Sequence, residues 1–190
     1  MPRITPVADE TASTDEAKAL HEIRGAWGSV PQLGRVIATS LPLTRAVLAF
    51  DGALNGGRFT GASAELIAIA VANENRCRYC LAAHTAGGRA FGLSEQALAD
   101  AQTGGSADPK MATALAFVQT VVRERGHATD AEIAAVREAG WTDGDIVELV
   151  GHAIATTLTN YLHHLSQVTV DFARVEFADP ADEKEAAQLQ

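Results

Sequence analysis

The stretch from Glu65 to His84 constrains the fold more than any other part of the chain. Leu66-Ile-Ala-Ile-Ala-Val-Ala72 is apolar at every position, so a helix built from it has no side to turn to water. Such a helix must sit in the middle of a bundle or in a subunit interface. Asn73-Glu74-Asn75-Arg76 then breaks the pattern, and Cys77-Arg-Tyr-Cys80-Leu-Ala-Ala-His84 resumes it. This order predicts an antiparallel helical hairpin folded between Glu74 and Asn75, which sets Glu65 opposite His84.

At about 100° per residue, Cys77 and Cys80 differ by roughly 300°, and Cys80 and His84 by roughly 400°. Two thiols and a base therefore share one face of the second helix. A carboxylate beside that imidazole fixes its tautomer and raises its basicity. The positive end of the helix dipole favours thiolate over thiol in the first turn, and Arg76 and Arg78 act in the same direction. On this reading Cys77, at the helix entrance, is the more exposed exchange thiol. Cys80, one turn before His84, is the thiol whose proton the imidazole takes. Tyr79 is a candidate hydrogen-bond donor to the pocket.

The same residues admit blander readings. Cys77, Cys80 and His84, with Glu65 or another histidine, could supply zinc ligands, although no second ligand pair on a separate knuckle accompanies them. The cysteines could also be small buried core residues. A c-type haem box is excluded because Leu81, not histidine, follows Cys80.

With 190 residues the chain is long enough for one domain with a sizeable core. Hydrophobic residues make up 47% and aromatics only 5%, so the core is aliphatic, which favours an all-α fold of close-packed helices. A net charge of -9 and a pI near 5.0 argue against nucleic-acid binding. Neither a leader-like start nor an apolar run long enough to span a bilayer is visible, so the expectation is a soluble cytoplasmic protein without membrane contact.

Along the chain, residues 1–12 are expected to form an extended arm, 13–175 a single helical domain, and 176–190 a mobile acidic tail. Ser13-x-x-Glu16 is a capping box opening a helix with Leu20, Ile23 and Trp27 on its buried stripe. Pro31 starts a short helix, and Pro42 another whose Val47, Leu48, Phe50 and Leu54 face the core. Ser63 or a neighbour caps the first hairpin helix. Gly87 and Gly88 interrupt the second, which predicts a close approach by another backbone, with access for a partner as the alternative. Pro109 opens a long amphipathic helix, Thr129-x-x-Glu132 is a second capping box, and Thr142 begins the longest apolar segment. His152, Asn160 and His163 interrupt that segment on one side and are expected to form a polar interface stripe, with a wall of the redox pocket as the alternative. His21 and His127 are expected to be exposed.

Glu65, the intervening Leu66 to Arg76, and Cys77-x-x-Cys80-x-x-x-His84 together resemble the alkylhydroperoxidase D and carboxymuconolactone decarboxylase family, in its peroxidase-related branch. Pro2 to Val7, Gly28-Ser-Val-Pro31, Glu65 to Ile69, and Gly140 to His164 are similar to the family as well. The resemblance implies a compact helical bundle of the alkylhydroperoxidase D-like type. It implies a thiol-dependent peroxidase that reduces alkyl hydroperoxides through a redox-active Cys77/Cys80 dithiol-disulfide pair, with Glu65 and His84 relaying protons. No cofactor beyond the Cys77–Cys80 disulfide is implied, but an external dithiol or protein reductant is required. A homo-oligomer, trimer or hexamer, is implied too. The family's best-studied members carry a second histidine where this chain has Tyr79. A general dithiol-disulfide oxidoreductase or redox sensor is the alternative. The family's lactone decarboxylase branch fits less well, since it does not depend on a Cys-x-x-Cys pair.

Overall fold

Helix starts are set by side chains that satisfy the first free N–H groups. Ser13, Thr129 and Thr142 each complete a capping box, and Ser40, Ser94 and Asp108 cap by a side-chain oxygen. The computed structural model describes residues 2–178, and all the regular structure among them is helical. In chain order the helices are α1 (Thr14–Trp27), α2 (Gln32–Ile37), α3 (Leu41–Leu54), α4 (Ala62–Glu74), α5 (Arg78–Ala90), α6 (Glu95–Gln102), α7 (Pro109–Arg123), α8 (Asp130–Glu138) and α9 (Asp143–Ser166). No helix is long and apolar enough to cross a membrane.

The all-round apolar segment becomes the axis of the molecule. Every residue from Ile67 to Asn73 is buried, and α4 packs against α5, α6, α7 and α9. Ile67, Ile69 and Val71 are fully enclosed, each worth roughly 1.5–3 kcal/mol of apolar burial. Helix α4 starts earlier than the apolar pattern suggests. Its cap is Gly61, whose φ of 54° suits glycine, and Ser63 lies inside the helix.

The hairpin closes tightly. Arg76 takes φ 52°, and the Cys77 N–H donates to the Ala72 carbonyl at 2.9 Å, so α4 ends and α5 begins within one turn of chain. Cys77 is the N-cap residue of α5.

Helix α9 crosses behind the hairpin. Its inward side carries Leu149 and Ala153 together with the buried polar residues His152, Thr156, Asn160 and His163. The polar stripe anticipated as an interface thus faces the molecule's own interior. Phe50 also departs from expectation: α3 turns Val47 inward at 4% exposure but leaves Phe50 at 37%.

Both ends of the chain run over the bundle without helix. Val7 is buried, its N–H donating to Arg35 O and its carbonyl accepting from the Arg35 guanidinium. After α9, Val168 is buried, and Val170, Phe172, Val175 and Phe177 pack against the core. Asp171 accepts from the Gln32 N–H at 2.8 Å. The ordered strap therefore runs past residue 175 to at least Ala178, and the rest of the expected acidic tail lies outside the described residues.

Candidate redox site

The hairpin register brings Glu65 of α4 against His84 of α5, with Oε2 2.8 Å from Nδ1. The imidazole therefore presents Nε2 away from the carboxylate. A glycine makes this contact possible: a Cβ at Gly87 would lie 2.6 Å from Glu65 Oε1. Gly88, its neighbour, is filled by a different group, since a Cβ there would lie 2.6 Å from Leu98 Cδ2. The pair of glycines thus accommodates a carboxylate and a packed leucine, not another backbone.

Cys77 and Cys80 are free thiols 3.2 Å apart. Their environments differ. Cys80, in the first turn of α5, lines a cavity of ≈ 460 Å³ together with Glu65, His84, Tyr79, Asp51, His152 and Thr159. Cys77 is at 0% exposure beneath α9, with its sulfur 3.7 Å from His163 Nδ1 and 3.9 Å from the Asn160 carbonyl. Cys77 is therefore not the exposed thiol that its place at the helix entrance suggests. A helix end frees its N–H groups, but here α9 covers it.

The electrostatics follow the same division. The Cys80 thiol is lowered to about 7, chiefly by hydrogen bonding from Cys77, against the cost of burial, with the charge of His84 assisting. Cys77 is pushed up by its hydrogen bond to Cys80 and by burial. Burial opposes charge on His84, yet hydrogen bonding and attraction from Glu65 outweigh it and raise the imidazole above its ordinary value. The Cys80 sulfur lies 3.8 Å from Thr159 Oγ1. His84 lines the same cavity and acts on that sulfur through its charge.

Tyr79 lines the cavity, and its hydroxyl is hydrogen-bonded to the Asp171 carboxylate. Its hydroxyl accepts the Leu33 N–H at 3.1 Å, and its ring packs against His163 and edge-on against Phe172, with centroids 5.1 Å and 5.5 Å away. Burial, with the Asp171 carboxylate adding, raises the phenol well above its usual range. The side chain ties α5 to α2 and to the C-terminal strap.

Several site residues escape a local reading. Asp51 of α3 faces the cavity, and burial raises its carboxyl. His152 also lines the cavity, and burial depresses its imidazole. Thr159, Asn160 and His163 reach the two sulfurs from α9. One signal was available for these: 152, 156, 160 and 163 recur at helical spacing, which places polar groups on one buried stripe.

The chain is similar to known proteins at two levels. Residues 42–122 match the carboxymuconolactone decarboxylase family. No curated protein matches. Among solved structures, the alkylhydroperoxidase AhpD core of an uncharacterized peroxidase-related protein from Ralstonia eutropha JMP134 superposes with a TM-score of 0.77 at 22% identity, covering 90% of this chain and 92% of that one. An uncharacterized peroxidase-related protein from Silicibacter sp. TM1040 gives 0.73 at 20% identity, covering 91% and 93%. The debrominase Bmp8, in complex with 2,3,4-tribromopyrrole, gives 0.73 at 11% identity, covering 99% and 97%. The fold is thus shared with proteins of differing activity. Residues 42–122 are thus similar to the carboxymuconolactone decarboxylase family, and the bundle around them has the alkylhydroperoxidase D-like fold.

Proposed function

We propose that the protein is a thiol-dependent peroxidase that reduces organic hydroperoxides with the Cys77/Cys80 dithiol. One arrangement carries the reading: Cys80 opens onto the same cavity as a histidine that a carboxylate holds at 2.8 Å. The Cys80 thiolate attacks the nearer peroxide oxygen and the O–O bond breaks. The sulfur becomes a sulfenic acid, and the departing alkoxide takes a proton from His84 to leave as alcohol. Cys77, 3.2 Å away, then displaces hydroxide from the sulfenic sulfur, and its own thiol proton completes a molecule of water. The product is the Cys77–Cys80 disulfide, which an external dithiol reduces.

Glu65 holds the His84 tautomer and supports its charge through the cycle. The cavity, bounded by Trp27, Leu33, Leu54 and Phe172 as well as by polar groups, suits a hydroperoxide with an apolar organic part. A thiol count before and after one equivalent of cumene hydroperoxide tests the proposal. Loss of both thiols per chain with formation of the alcohol is expected. Retention of both thiols in the presence of the hydroperoxide, with loss of both when a protein disulfide is offered instead and is reduced, would replace it with the disulfide oxidoreductase reading.

A further inference from the structure

The side of Cys77 turned from the cavity carries a second cluster of donors. Cys77, His163 and His164 each offer a ligand atom, and these atoms lie within 4.8 Å of one another. Adjacent residues on a helix diverge by about 100°. Even so, His163 and His164 both bring a ring nitrogen toward the one sulfur, at the last turn of α9, just before Gln167 takes the left-handed conformation that ends the helix. His163 is buried, while His164 is half-buried and reaches toward solvent. His84 is not part of this group: its Nδ1 is held by Glu65 on the cavity side.

The spacing suits a tetrahedral metal. With bonds of about 2.3 Å to sulfur and about 2.0–2.1 Å to nitrogen, ligands on one zinc ion stand roughly 3.6 Å apart. Cys77 Sγ and His163 Nδ1 are 3.7 Å apart. One thiolate and two imidazoles form a donor set that selects a borderline-soft cation such as Zn²⁺ over Mg²⁺ or Ca²⁺.

We propose that the reduced protein binds a zinc-type divalent cation through Cys77, His163 and His164, and that the bound cation withholds Cys77 from disulfide formation. On binding, the Cys77 S–H bond gives up its proton to solvent and a metal–sulfur bond replaces it. A fourth position remains for water or for Cys80. When the dithiol is oxidised by a hydroperoxide, its two electrons pass to the O–O bond and the thiolate ligand no longer exists. Metal binding and the disulfide are then mutually exclusive.

The test is equilibrium dialysis of the whole chain against Zn²⁺, with the reduced and the disulfide forms compared and the metal counted by a chromogenic chelator. One ion per reduced chain and none on the oxidised chain is expected. His163→Gln and His164→Gln are each expected to weaken binding at least 100-fold, at or beyond about the upper end of the loss that follows removal of a supporting hydrogen bond. His84→Gln is expected to bind as the parent does. A Co²⁺-loaded reduced chain is expected to show a thiolate-to-metal charge-transfer band that Cys77→Ser abolishes. If His163→Gln misfolds by circular dichroism, the half-buried His164→Gln decides. Equal binding by reduced and oxidised chains, no binding by the reduced chain, or parent-like binding in His164→Gln overturns the proposal. None of these readouts requires peroxide turnover, so the site can fail while the peroxidase reading stands.

Discussion

Gly87 leaves vacant the space in which the Glu65 carboxylate lies, for a Cβ there would stand 2.6 Å from Oε1, 2.7 Å from Cδ and 2.9 Å from Oε2. Glycine inside a helix costs up to about 1 kcal/mol relative to alanine, so its presence in α5 is explained by what it admits. Gly87→Ala is expected to push the flexible carboxylate off His84, lowering kcat/KM for a hydroperoxide while changing the melting temperature little. Gly88→Ala is expected to do the opposite. It crowds the buried Leu98 and costs about 1–3 kcal/mol of stability with the Glu65–His84 contact kept. Steady-state kinetics beside thermal melts of both variants would separate the two effects.

Glu65→Gln removes the charge while keeping the shape. A loss of about 10–100-fold in peroxide reduction is expected, the size typical when a working histidine loses the partner that orients it. The variant also reports on pH. The groups facing His84 are Glu65 from α4, Asp51 from α3 and Cys80 from its own helix, and Glu65 is the strongest influence that raises its pKa. A raised folded value means that protonated His84 stabilises the fold below the unfolded imidazole value of about 6.5, and that this contribution fades as pH rises through the folded value. The parent's advantage over Glu65→Gln in urea midpoint should therefore be greatest below pH about 6.5 and shrink above it. An NMR titration of the His84 ring should move to lower pH in the variant. An unmoved titration would show that the 2.8 Å contact contributes nothing to the charge on the ring.

Tyr79 stands where the resembled family carries a histidine, and here its hydroxyl accepts the Leu33 N–H. Removing the hydroxyl strands the buried Leu33 N–H, so Tyr79→Phe is expected to cost about 1–3 kcal/mol in chemical denaturation. Activity per folded molecule should change far less than in His84→Gln, for which about 10²–10⁴-fold is expected from loss of a general acid. A large kinetic defect with unchanged stability would return the hydroxyl to the chemistry.

What could be read from the sequence was local. The turn at Asn75 and Arg76 sets the hairpin register, and the register sets Glu65 against His84, so both followed from spacing within two adjacent helices. The fate of Cys77 was not local: the groups that bury it come from Asn160 and His163, 83 and 86 residues further on. Spacing along α9 put His152 and His163 on one face, but it could not say whether that face looked inward. The C-terminal strap was missed for another reason. Val168, Val170 and Phe172 alternate at a period of two, a signal for extended chain that a search for helical periodicity passes over. Asp51 had no signal at all, being one carboxylate on an otherwise ordinary helix.

Both cysteines are buried, at 0% and 2% exposure, but they face different surroundings, and this makes single-cysteine variants decisive. Cys80 borders the cavity and Cys77 does not, so a hydroperoxide held near His84 meets Cys80 first. In Cys77→Ser the attack still proceeds, but no second thiol stands 3.2 Å away to resolve the sulfenic acid. One turnover is expected, and the Cys80 sulfenic acid should persist long enough for dimedone to label it, as read by intact mass. In Cys80→Ser the remaining thiol, at 0% exposure beneath α9, should give neither turnover nor label. The reverse pattern would mean that the peroxide approaches from the α9 side. It would move the reacting oxygen away from His84 and next to His163, so the experiment assigns the attacking sulfur and locates the substrate at once.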